Sequence, residues 1–298
     1  MKLSQHRILT THVGSLPRSE EVFKLVFAKE AGEKIDMNRY DRVIADAVQT
    51  VVRKQTEVGV DVVSDGEQSK ISYATYIKHR LNGFDGDSPR RTPKDLEEYP
   101  AFSKRASSSG GVPTYSRPQC VGPISVKDLK PLEVDLQNFK DALSVSEATD
   151  AFMNAASPGV IAQFQPNQHY PDHSSYLYAL ADAMKVEYEG IAEAGLVIQI
   201  DSPDLALGRH VLFKDQSDEE FVAMAELHIE ALNHALQNIP AEQLRLHVCW
   251  GNYQGPHHCD IEMKKILPAV LKAKPMALSF EGANPRHSHE WSVFRDAK

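Results

Sequence analysis

Seven short apolar runs punctuate the chain, at residues 11–16, 60–65, 119–124, 159–164, 196–201, 244–249 and 276–281, and a longer polar or amphipathic stretch separates each from the next. Runs of this length, rich in Val, Ile and Leu, predict strands buried in a parallel sheet. The stretches between them predict helices. Residues 42–58 and 174–194 have helical composition, with only Gly190 interrupting the second. Ser217-Asp218-Glu219-Glu220 reads as a capping box, a Ser at the N-cap and a Glu three residues on, ahead of the apolar-rich segment 221–239. Strand and helix in alternation predict βαβ units and an α/β fold.

Residues 82–117 break this rhythm with Pro89, Pro93, Pro100, Pro113, Gly110, Gly111 and the run Ser107-Ser108-Ser109. A long insertion in a βα connection is either a lid or arm over a site or a disordered loop, and an ordered arm is the expectation here. Composition narrows the class of function. The 298 residues carry 33 Lys and Arg against 41 Asp and Glu, a formal net charge of −8, which argues against a nucleic-acid partner and an electrostatic membrane anchor. No apolar run is long enough to cross a membrane, and three cysteines make no disulfide framework. A cytoplasmic protein with reduced thiols is expected.

Polar residues gather at the C-terminal ends of the runs: His12 and Ser15, Asp65 and Glu67, Asp201, His247 and Cys249, and Glu281. Any one of them could simply cap the next helix. Their agreement favours one shared pocket, because βα loops and helix N-termini meet at strand C-termini. His247-Val248-Cys249 is the sharpest constellation. Residues i and i+2 of a strand face the same side with Cα atoms ~6.6 Å apart. An imidazole and a thiolate so placed can meet one ion at ~2.1 and ~2.3 Å, as tetrahedral zinc requires. A buried structural His/Cys pair is the competing reading, and Glu281 at the end of the next run brings the two into balance. His257-His258-Cys259 follows Gly255-Pro256 and reads more simply as the opening of the next helix. The cluster from Pro285 to Glu290 offers His287 and His289 as proton donors, against a solvated helix start. P-loop, dinucleotide-binding and nucleophile-elbow motifs are absent from the sequence.

Taken in order, these residues resemble the catalytic barrel of cobalamin-independent methionine synthases and their single-domain relatives. Thr10-Thr11-His12-Val13-Gly14-Ser15-Leu16-Pro17-Arg18 resembles the opening strand and loop that hold the thiol substrate, so the resemblance makes His12, Gly14 and Ser15 substrate-binding. Asp65-Gly66-Glu67 resembles the family's Gly-Glu element, and Glu67 inherits its contact to that substrate. Cys120-Val121-Gly122-Pro123 and Ser157-Pro158-Gly159-Val160 resemble the third and fourth strands. Gln199-Ile200-Asp201-Ser202-Pro203 resembles an Ile-Asp-x-Pro element whose Asp, here Asp201, binds the substrate amine. His247, Cys249 and Glu281 fall on three of four zinc ligands. Leu207 stands where methionine synthases carry a second acid, a departure that leaves the methyl donor open.

The resemblance implies a TIM (β/α)8 barrel. Run centres from Val13 to Ser279 lie about 44 residues apart on average, (279 − 13)/6, so 298 residues predict a single barrel domain lacking its eighth βα unit, where the family's fourth ligand, a Cys, falls. It implies a Zn²⁺ cofactor, a small-molecule thiol and an alkyl donor as partners, and is compatible with a homo-oligomer. The implied reaction is methyl transfer from 5-methyltetrahydrofolate to homocysteine. Alkyl transfer to another thiol, as in epoxyalkane:coenzyme M transferases, and a truncated non-catalytic barrel are the alternatives.

Overall fold

The computed structural model describes residues 1–109, 115–253 and 255–296. Its strands are β1 (Val62–Val63), β2 (Leu81–Asp85), β3 (Gln119–Val126), β4 (Asp150–Ala156), β5 (Val197–Asp201), β6 (Leu244–Val248) and β7 (Ala277–Phe280). Its helices are α1 (Glu20–Glu30), α2 (Met37–Glu57), α3 (Lys94–Glu97), α4 (Pro100–Ser109), α5 (Lys130–Ser144), α6 (Pro158–Phe164), α7 (His173–Glu193), α8 (Gly208–Val211), α9 (Asp218–Ala235) and α10 (Met263–Val270).

Five strands form one parallel sheet in the order β1-β4-β5-β6-β7, and Thr11 adds a single parallel bridge to Val62 beyond β1. The sheet curls so that its first and last segments line the same cavity. Among the described residues no strand pairs with the outer edge of β7. The architecture is thus an α/β fold around a curled parallel sheet. Between the strands, the predicted helices form where the sequence marks them. Asp36 caps α2 by accepting from Asn38 N and Arg39 N, and Tyr40, Ile44, Val48 and Val52 form its buried stripe at a spacing of four. Ser217 and Glu220 close both halves of the capping box on α9.

Three of the seven predicted parallel strands are not strands of this sheet, and the first of them, 11–16, contributes only the Thr11 bridge. Residues 159–164 are helix α6: Ser157 accepts from Val160 N as N-cap and Pro158 takes the first helical turn, the helix-start chemistry that outweighs an apolar run. The strand in its place is β4, which starts nine residues upstream and is built from Asp-Ala-Phe-Met-Asn-Ala-Ala. Residues 119–124 do form β3, but it pairs antiparallel with β2 in a separate two-stranded sheet. That hairpin is the base of the 82–117 insertion, and α3 and α4 belong to its outer part. Gly110, Gly111 and Pro113 lie outside the described residues. The arm folds onto the segment after β6, where Tyr253 donates to Asp95 at 2.7 Å and His258 pairs with Glu98 at 2.7 Å. No described helix is long and apolar enough to cross a membrane.

Behind the sheet His173, the first residue of α7, touches His228 (Nε2 to Nε2, 2.8 Å), which bonds Asp204 at 2.8 Å. Burial, and then the like charge of His228, lower the pKa of His173 from 6.5 to about 4. The native state therefore binds fewer protons than the unfolded chain between these values, and the associated stability is lost as pH falls from about 6.5 through 4. Urea denaturation at stepped pH is expected to show this acid limb. His173→Gln should make it shallower by at most one proton, and an unchanged slope would contradict the assignment.

Candidate active site at the strand C-termini

Parallel register fixes which side chains meet. Asn154, Gln199 and Arg245 stand side by side across β4, β5 and β6, and one step further along lie Ala156, Asp201, His247 and Ser279. Continuing the β6–β7 register by one residue sets Cys249 opposite Glu281. The lower polar layer braces the segment before β1. Asn154 Nδ2 donates to Val13 O at 2.9 Å, Gln199 Nε2 donates to the same carbonyl, and Arg245 reaches Thr11 Oγ1 at 3.4 Å. Arg245 also lies 4.1 Å over the Phe152 ring.

Above that layer is a cavity of about 450 Å³, lined by His12, Gly14, Ser15, Glu67, Asp201, His247, Cys249 and Glu281 together with Tyr73 and Asn154. All the residues to which the resemblance gives substrate or metal contacts are therefore brought to one cavity. A second cavity, about 390 Å³ between α2 and α5, is lined by Tyr40, Ile44 and Asp135 and holds none of them.

One side of the site is acidic. Asp201 is buried and accepts from Asn154 Nδ2 at 2.9 Å and Gln199 Nε2 at 2.8 Å. Burial outweighs these bonds and raises its pKa to about 6. Glu67 is held in the left-handed region at φ 54, within a turn where Gly66 is also left-handed. A non-Gly residue there is strained and persists only where its surroundings fix it. Here Arg18 donates to Glu67 O at 2.7 Å, Asp65 Oδ1 accepts from Glu67 N at 3.0 Å, and Ser15 Oγ donates to the carboxylate. Burial raises the Glu67 pKa, although Lys70 lies 3.7 Å away, and Glu67 Oε1 has no hydrogen-bond partner.

Gly14 makes this packing possible. At φ +149 its Cα approaches Asn154 so closely that a Cβ would stand 2.5 Å from Nδ2. Gly14→Ala is expected to push Asn154 off Asp201 and to cost about 1–3 kcal/mol of stability. Chemical denaturation checks this, and wild-type stability in the variant would refute it.

The opposite side carries unpartnered lone pairs. His247 is buried, its Nδ1 has no hydrogen-bond partner, and burial holds it neutral with a pKa near 4. Burial pushes the Cys249 thiol up to about 12. Glu281 accepts from Arg286 at 3.2 Å through Oε1, and its Oε2 is buried and free. The three do not converge as tightly as a loaded metal centre, since the described side-chain groups with ligating atoms all within 4.8 Å lie elsewhere.

His287 and His289 do not line this cavity. His287 is stacked on Trp250 at 3.8 Å, and its two nitrogens engage Asp260 at 2.9 Å and Glu290 at 3.1 Å. Burial opposes its charge, but these two carboxylates reverse that and raise its pKa to about 9. Such a ring is engaged as an internal ion-pair partner, and His289 is exposed to solvent, so neither of the two expected proton donors lines the cavity. Asn154, Gln199 and Tyr73 are the site residues that motif reading missed. Asn154 and Gln199 each left a trace, as the one polar side chain inside the apolar stretches 151–156 and 196–200.

The profile described as "Cobalamin-independent synthase, Catalytic domain" matches residues 8–89. A methionine synthase of Saccharolobus solfataricus is 28% identical over 274 residues, covering 90% of this chain and 72% of that one. A methionine synthase of Sulfurisphaera tokodaii is 29% identical over 245 residues, covering 82% and 62%. The solved B12-independent methionine synthase of Shewanella sp. W3-18-1 superposes with a TM-score of 0.59 at 19% identity, over 83% of this chain and 65% of that one. Over most of its length the chain is thus similar to cobalamin-independent methionine synthases, at 28–29% identity. A second member of known structure, a putative vitamin-B12 independent methionine synthase from Listeria monocytogenes, superposes at 0.56 with 21% identity and shares the fold. The chain spans roughly two thirds of the length of these family members, from 62% to 72%.

Proposed function

We propose that this chain transfers a methyl group, without cobalamin, to the thiol of homocysteine to give methionine, with a methyltetrahydrofolate as donor. The observation that carries this reading is the division of one cavity into two halves. Two buried carboxylates, Asp201 with no cation in contact and Glu67 with only Lys70 near it at 3.7 Å, face unpartnered nitrogen, sulfur and oxygen lone pairs. An amino-acid thiol is the ligand that needs both, with an ammonium for Asp201 and Glu67 and a sulfur for the opposite wall. Ser15 and the backbone at Gly14 stand beside Glu67, where the substrate carboxylate would lie.

His247, Cys249 and Glu281 fit a zinc ion in kind. His247 is neutral with a free Nδ1, Glu281 has a free oxygen, and Cys249 is a half-buried thiol that only a nearby positive charge would ionise. Zinc bound there supplies the charge that turns a substrate thiol into a thiolate near neutral pH. The chain's own residues do the rest. Asp201 and Glu67 hold the amine, Asn154 and Gln199 hold Asp201, and Arg245 holds the segment carrying His12 to Ser15. We also read the curled sheet as an incomplete (β/α)8 barrel, whose strand C-termini are the customary place for such a site.

The test is methionine formation by the zinc-loaded protein from homocysteine and 5-methyltetrahydrofolate, as mono- and triglutamate, followed by mass spectrometry. Product is expected, with loss after chelation, and none from an epoxide with coenzyme M. No methionine from either folate by metal-replete protein would defeat the reading.

A further inference from the structure

We propose that Asp95, His210 and Asp260 form a second divalent-metal site, of the zinc or manganese class, that clamps the arm to the segment following β6. It is independent of the cavity and of the function proposed for it.

The three residues come from distant parts of the sequence. Asp95 lies in α3 of the arm, His210 in α8 after β5, and Asp260 ahead of α10. Their ligating atoms all lie within 4.8 Å of one another. His210 Nδ1 is 3.5 Å from Asp260 Oδ1 and 3.9 Å from Asp95 Oδ2. These separations are too long for the ring to be hydrogen-bonding either carboxylate. They are close to the roughly 3.4 Å between donors on a tetrahedral ion with bonds of about 2.1 Å.

What sets the cluster apart from an ordinary ion-pair knot is the lone pairs left over. Asp95 and His210 are 0% exposed, yet His210 Nδ1, the nitrogen that faces the two carboxylates, has no hydrogen-bond partner, and neither does Asp95 Oδ1. Burying an imidazole nitrogen without a partner between two carboxylates is costly. A cation at their centre engages the free donors and cancels the like charge. The surroundings are arranged as outer partners of a metal site commonly are. Tyr253 Oη donates to Asp95 Oδ2 at 2.7 Å, and Asp260 Oδ2 accepts from His287 at 2.9 Å and His257 at 3.0 Å. Two carboxylates and one imidazole, with no thiolate, suit zinc or manganese and leave room for water. An ion here would fix α3 against the run from Cys249 to Asp260, of which Gly251 and Asn252 line the cavity.

The test titrates chelator-treated, full-length protein with Zn²⁺ by calorimetry, in wild type and in Cys249→Ser. Cys249→Ser is expected to retain one Zn²⁺ per chain. Its affinity should fall at least 100-fold in Cys249→Ser/Asp95→Asn, where Asn keeps the size and the acceptor for Tyr253, and equally in Cys249→Ser/His210→Gln. Hydrogen exchange is the second readout: Zn²⁺ should slow exchange across residues 94–97 in Cys249→Ser but not once Asp95 is Asn. Absence of Zn²⁺ from Cys249→Ser overturns the proposal. So does Zn²⁺ binding that survives both second substitutions, or that disappears with Cys259→Ser, which would put the ion on the exposed cluster of Glu98, His258 and Cys259. If the cavity binds no zinc at all, one ion lost through Asp95→Asn from otherwise wild-type protein still supports it.

Discussion

Cys249→Ser is expected to lower methionine formation by at least about 100-fold, because even a partner one shell further out commonly costs a metal site 10–100-fold in affinity or activity. A serine hydroxyl ionises far less readily than a thiol and is a poorer match for zinc than sulfur. The remaining donors on that wall, His247 Nδ1 and Glu281 Oε2, would then have to hold the ion without sulfur. The fold should survive the change. Cys249 follows the last residue of β6, where the buried run Leu244–Val248 has already ended, and it is partly open to the cavity. Turnover and thermal unfolding measured on the same preparation separate the two effects. Turnover equal to wild type in a folded Cys249→Ser would remove the metal from the proposed mechanism.

The chemistry of this site was more legible in the sequence than its scaffold. Strand ends can be read from single residues, since a polar side chain that closes an apolar run marks itself. His12, Glu67, Asp201, His247, Cys249 and Glu281 all came to one cavity on that signal. Strand identity could not be read in the same way. The run 159–164 is as apolar as a buried strand, and only Ser157-Pro158 ahead of it tells that it is a helix. β4, by contrast, contains three alanines in seven residues, a composition that suits a helix, and lies in the sheet because β5 pairs along it. Direction was equally hidden for β3. Its partner β2 is the mixed sequence Leu-Asn-Gly-Phe-Asp, whose Gly83 takes φ +98 and packs against the carbonyl of Gly122. The pairing lies in that contact and not in any apolar pattern. His287 misled for another reason, because a histidine in a polar cluster looks the same in sequence whether it faces substrate or, as here, Asp260 and Glu290.

Asp201→Asn should separate binding from stability, and in opposite directions. The wild-type carboxylate is buried with amide partners and no cation in contact, and its pKa near 6 means that the native state holds its proton more tightly than the unfolded chain does. Stability attached to this group is therefore present below the ordinary carboxylate range and is lost as pH rises from about 4 through 6. At neutral pH the buried charge costs up to about 3 kcal/mol. Asn carries no charge, so the variant should unfold at a higher urea concentration than wild type at pH 7, and the gap should close below pH 4. The gain will be less than the full figure, because Asn replaces one acceptor with a donor. Gln199 or Asn154 must then turn its free oxygen toward the new amide at the expense of a bond to Val13 O. Binding should move the other way. A substrate ammonium facing an amide instead of a carboxylate loses about 2–5 kcal/mol, a 30-fold or greater rise in the homocysteine KM. A variant that is more stable and binds homocysteine unchanged would show that the amine does not lie on Asp201. One that is less stable at pH 7 would show that the buried charge is already compensated. Together the two results would establish Asp201 as a charge held in the empty protein for the sake of its ligand.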